Sequence, residues 1–97
     1  LKPASISELD KVVLLLNDNP KLHIQISGHT DNVGQRAVNL QLSNNRANSV
    51  TQYLISKGIQ AGRLIAKGYG DTKPLASNDT ESGKSLNRRT ELNVVSN

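Results

Sequence analysis

The chain has 97 residues, 35% of them apolar and 21% charged, which suits one domain with a modest core. Aromatics make up 2%, as Tyr53 and Tyr69, and Phe, Trp and Met are absent, so the core has to be built from Leu, Ile, Val and Ala. The absence of Cys excludes a disulfide framework, a thiolate metal site and a cysteine nucleophile, and no run approaches the ~20 apolar residues that span a bilayer. The net charge of +4 is scattered, with Arg88-Arg89 the only adjacent basic pair. Nucleic-acid binding calls for a basic stripe interleaved with stacking aromatics, so a solvated basic surface is the better reading. With no initiator Met and no signal peptide, the chain is expected to be a processed or excised piece of a longer protein.

In chain order, Ser5 and Glu8 have the spacing of a capping box. Ile6, Leu9, Val12, Val13 and Leu16 then recur at steps of three and four, which predicts a helix over 5–18 that stops before Pro20. Leu22, Ile24 and Ile26 alternate with His23, Gln25 and Ser27, the period of a strand with one buried face. The segment 28–34 reads as a loop, with two glycines and an Asp-Asn pair. A long second helix follows from about Gln35, with Leu40, Ser43, Ala47, Val50 and Leu54 as its inward stripe and Gly58 as its C-terminal stop. Residues 64–69 predict a second strand, 74–83 a polar surface loop, and Thr90, Leu92 and Val94 a final alternating strand. The order describes an α/β (α+β) sandwich, two main helices packed on one face of a small mixed sheet.

The loop between the first strand and the second helix is where such folds place ligands, and a helix N-terminus there favours an anionic group. Asp31 lies in it. Asn39, Leu42 and Arg46 fall on one face of the following helix, beside the apolar stripe. An acid and a guanidinium bordering one cleft would grip a zwitterion, the acid taking an ammonium and the arginine a carboxylate. The competing reading is that Asp31 and Arg46 pair with each other and tie loop to helix. His29 is read as a hydrogen-bonding or stacking residue: no second imidazole joins it in a metal site, and no nucleophile elbow accompanies it. No catalytic group, metal or cofactor is expected.

Gly28-His29-Thr30-Asp31-Asn32-Val33-Gly34, then Asn39-x-x-Leu42-Ser43-x-x-Arg46-Ala47-x-x-Val50-x-x-Tyr53-Leu54, resembles the signature of the OmpA-like peptidoglycan-binding domain. The resemblance continues through Gly58-Ile59, Arg63-Leu64, Gly68-Tyr69-Gly70, Pro74, Asn78-x-Thr80, Gly83 and Asn87-Arg88-Arg89-x-Glu91, covering essentially the whole chain. It implies a non-catalytic binder of the meso-diaminopimelate in peptidoglycan stem peptides, a cell-wall anchor in the periplasm of a Gram-negative cell whose parent protein sits in the outer membrane. Asp31 matches the position that holds the ligand's ammonium and Arg46 the one that holds its carboxylate. Thr30, Asn39 and Leu42 match pocket positions, and Arg89, in preference to Arg88, is assigned the late arginine that reaches the ligand. The family opens with a strand before helix one, and this sequence starts after it. The same resemblance carries an alternative, a dimerisation module of a flagellar stator or secretion complex, with a homodimer as its product. Neither reading has the domain itself inserted in a membrane.

Overall fold

The computed structural model describes residues 3–96, with side chains over 6–96. Its elements are α1 (Pro3–Asp18), β1 (His23–His29), α2 (Arg36–Ser56), a single 3-10 turn (Ala61–Arg63), β2 (Leu64–Gly70), α3 (Glu81–Asn87) and β3 (Thr90–Ser96). The strands form one mixed sheet in the order β2-β1-β3. The central strand β1 runs parallel to β2 and antiparallel to β3. The parallel pair requires a crossover, and α2 supplies it.

The periodicities that predict α1 and β1 become one core. Leu9 and Leu16 of α1 meet Leu22, Ile24 and Ile26, with Ala47, Val50 and Leu54 of α2 and Ile59 and Leu64 completing the cluster. Leu16, Ile26 and Leu54 are fully enclosed. Burial of each such side chain contributes about 1.5–3 kcal/mol. The expected capping box cannot be placed, because the Ser5 side chain lies outside the described residues. The other end of α1 is closed by Arg63, whose guanidinium donates to the carbonyls of Leu16 (2.7 Å), Asn19 (2.7 Å) and Leu22 (3.1 Å). A cation at a helix C-terminus satisfies both the free carbonyls and the dipole.

Three expectations need correction. β1 does not stop at Ser27: Gly28 and His29 stay in the ladder, with Gly28 beside Gly68 and His29 beside Gly70. Gly28 and Gly68 mark contact with α2. A Cβ on Gly28 would overlap the Ser43 carbonyl, and one on Gly68 would overlap the Asn44 backbone nitrogen, so the helix backbone rests directly on the strands. Leu40 is not part of the inward stripe but is 43% exposed, and Asn39 is buried in its place. The α2 backbone at Leu40 is what meets Gly70, which sends the Leu40 side chain outward. Finally, the polar segment read as a loop over 74–83 runs into a third helix, α3. Thr80 caps it, its hydroxyl accepting from the Gly83 N–H at 3.0 Å.

Candidate functional site

β1 delivers His29, Thr30 and Asp31 in succession to the end of the sheet. The Thr30 N–H donates to the Gly70 carbonyl at 2.8 Å, which extends the β1–β2 pairing by one residue. Its hydroxyl donates to the Asp31 carbonyl at 2.8 Å, turning the chain away from the strand. Asn39, in the first turns of α2, donates its amide to the Val33 carbonyl at 3.0 Å and to the Asp31 carbonyl at 3.4 Å. Thr30 and Asn39 are both buried, so their polar atoms serve the loop backbone. They fix where Asp31 sits.

Asp31 is the one acid among the described residues that is buried. Oδ1 accepts from the Val33 N–H at 3.0 Å, and Oδ2 accepts from Arg88 Nη1 at 2.7 Å. The Val33 amide, with the Arg88 guanidinium beside it, holds the Asp31 carboxyl below the usual carboxylate range although burial opposes this. The group is therefore a fixed anion at neutral pH. Each oxygen carries one hydrogen bond, which leaves lone pairs for a further donor. The other arm of Arg88 reaches Glu81 Oε1 at 2.7 Å, so one guanidinium links the β1 loop to the start of α3.

Neither of the sequence readings of the Asp31 neighbourhood foresees this pairing. Asp31 does not bond Arg46, and its partner is Arg88. Arg89, assigned the approach to the ligand, turns to the other side of β3: its Nε donates to Glu91 at 2.7 Å and its Nη2 to the Lys73 carbonyl at 3.1 Å. Leu42, 41% exposed, and Arg46, also exposed, continue the Asn39 face of α2 out from under the loop. Arg46 lies about 10 Å along the helix axis from Asn39. It forms no salt bridge among the described residues. Asn87 is a further contributor that motif reading left without a role. It is wholly buried, its Oδ1 accepts from the Leu75 and Ala76 N–H groups (2.7 and 2.9 Å), and its Nδ2 donates to Ala76 O and Asn78 Oδ1 (2.9 and 2.8 Å). It pins the loop before α3 to the residue before Arg88. Among the described residues no group of three or more His, Asp or Glu could hold a metal ion, and no helix is long and apolar enough to cross a membrane.

Two long helices on one face of a three-stranded mixed sheet, with an ionised carboxylate at the end of the central strand, define a small α+β domain. Residues 1–88 match the OmpA family, and the chain belongs to it. It is 40% identical over 94 residues to the probable lipoprotein YiaD of Escherichia coli, an alignment that spans 97% of this chain and 43% of that protein. It is 37% identical over 94 residues to the peptidoglycan-binding protein ArfA of Mycobacterium tuberculosis, spanning 97% of this chain and 29% of that one. In structure it superposes on the peptidoglycan-associated lipoprotein of Burkholderia pseudomallei with a TM-score of 0.92 at 30% identity, covering 97% of this chain and 80% of that chain. The chain thus spans less than half the length of these curated relatives.

Proposed function

We propose that this domain anchors its parent protein to peptidoglycan in the periplasm, and that it holds the wall by the meso-diaminopimelate of a stem peptide without catalysing a reaction. The observation that carries the reading is Asp31, a buried and ionised carboxylate whose loop is fixed by Thr30 and Asn39. Membership of the OmpA family and similarity to a peptidoglycan-binding protein and a peptidoglycan-associated lipoprotein support it. Diaminopimelate ends in a free amino-acid group. Asp31 takes its ammonium, and Arg46, with no competing salt bridge among the described residues, takes its carboxylate in bidentate fashion. Leu42 provides the apolar surface between Asn39 and Arg46. The role expected of Arg89 passes to Arg88, which already touches Asp31.

Specificity over lysine-type stems follows from the same pair. Lysine keeps the ammonium and lacks the second carboxylate, so the arginine loses a charged partner. That costs about 1.5–3 kcal/mol, roughly ten- to a hundredfold in affinity. Calorimetric titration of the folded domain with soluble stem peptides checks this. We expect saturable binding to the diaminopimelate peptide and at least tenfold weaker binding to the lysine peptide. Arg46→Ala should remove the difference between the two, and Asp31→Asn should weaken both. Equal affinity of the wild type for both peptides would refute the clamp. Binding to neither would direct attention to assembly with other proteins.

A further inference from the structure

The sheet face turned away from α1 and α2 carries a polar groove of about 390 Å³ to which neither the clamp nor the core contributes a role. Gln25, Ser27 and His29 of β1 form its base, Tyr69 of β2 and Lys73 one wall, and Glu91 and Asn93 of β3 the other. That volume lies within the range of small-ligand sites.

The one acid of the groove is already paired. Glu91 is held by Arg89 at 2.7 Å, and the Lys73 ammonium lies 4.3 Å from the centroid of the Tyr69 ring. Lys67 also stands 5.0 Å from that centroid, so the charged groups around the groove lean positive, while Gln25, Ser27, Tyr69 and Asn93 in its lining are uncharged. The remaining groups are uncharged hydrogen-bonding side chains. Gln25 Nε2 donates both to the Tyr69 hydroxyl (2.9 Å) and to Ser27 Oγ (3.0 Å). Both hydroxyls therefore accept from the amide and keep their own protons to donate. Asn93 adds an amide on the opposite wall.

Beneath them His29 is only 2% exposed and stacks on Tyr69, with ring centroids 5.4 Å apart. Neither of its ring nitrogens has a hydrogen-bond partner among the described residues, and Nε2 stands 3.8 Å from Glu91 Oε2, too far for a direct bond. A buried imidazole left unsatisfied at the base of a polar groove is the kind of exception that calls for an explanation. Both ring nitrogens are closed to solvent, so a ligand hydroxyl reaches Nε2 only if the Glu91 side chain, 39% exposed, swings aside.

We infer that this groove is a second subsite, one that takes a neutral sugar unit bearing hydroxyl and amide groups, as in the glycan strand to which stem peptides are joined. The inference rests on the wall-binding reading of the Asp31 site. The two sites lie on opposite sides of one strand end. Asp31 is two residues beyond His29, about 7 Å along an extended chain, and the adjacent Arg88 and Arg89 turn one to each site. A single glycopeptide can therefore engage both, and the second contact becomes intramolecular.

The test uses three probes: an N-acetylated amino-sugar disaccharide, the diaminopimelate stem peptide, and the two joined. Backbone-amide NMR shifts should respond to the disaccharide at Gln25, Tyr69 and Asn93, and to the peptide at 30–46. The joined ligand should bind at least tenfold tighter than the peptide alone. Asn93→Ala, at an exposed position, should return it to the peptide value with an unchanged Tm. A disaccharide that shifts nothing on the sheet face, or a joined ligand no tighter than the peptide, would overturn the inference. If the disaccharide moves the sheet-face signals and the peptide binds nowhere, the subsite stands and only the diaminopimelate clamp falls.

Discussion

His29 shows how much one side chain can be set by its surroundings. Burial, followed by the nearby Arg89 cation, pushes its pKa below the ordinary histidine value, while Glu91 pulls the other way. The folded protein therefore binds fewer protons at this site than the unfolded chain does. Stability from it is complete above the unfolded value near 6.5 and is lost as pH falls from there through the lower folded value. Asp31 and Glu91, both held below the usual carboxylate range, the first by the Val33 amide and the second by Arg89, lose their contributions only further into acid. The first fall in Tm on acidification from pH 7 toward 5 should accordingly belong to His29. His29→Phe keeps the stacked ring and has no proton to take up, so its Tm should stay flatter across that interval. An unchanged slope in the variant would show that another group sets the acid limit.

At the level of elements, the short helix α3 depends on two polar residues rather than on an apolar face. Thr80 starts it, and Asn87 closes it with four hydrogen bonds to the loop at 75–78. Asn87→Ala removes all four of these bonds, each contributing about 0.5–1.5 kcal/mol. We expect a lower Tm together with weaker stem-peptide binding, because Arg88 follows Asn87 directly and loses its fixed approach to Asp31. Retained stability in thermal melts would show that the loop finds other partners.

This dependence explains what the sequence made legible and what it hid. α1, β1, α2 and β3 could be read because their apolar residues repeat with a helical or strand period. Glu81–Asn87 has no such period, and its cap sits in a stretch whose composition reads as turn. The Asp31 loop was legible as a site from its position between a strand and a helix. Its pairing with Arg88 was not, because the choice between adjacent arginines is made by how α3 ends. Leu40 misled for a related reason: periodicity identifies a helix face, but the close approach of α2 at glycine decides which edge of that face is covered.

For the whole molecule, the place of β1 in the sheet has a mechanical meaning. A load entering at Asp31 and drawn along β1 pulls on a central strand bonded on one side to β2 and on the other to β3. Both rows of hydrogen bonds then lie roughly across the pull and are loaded together, in shear. A load on Ser96 instead peels the edge strand β3 away one bond at a time. In single-molecule pulling between position 6 and either point, attachment at position 31 should give the higher rupture force, and equal forces would contradict this geometry. A tether gripped at the end of its innermost strand resists tension with the whole sheet, and the strength of the hold is set by how many bonds must fail at once.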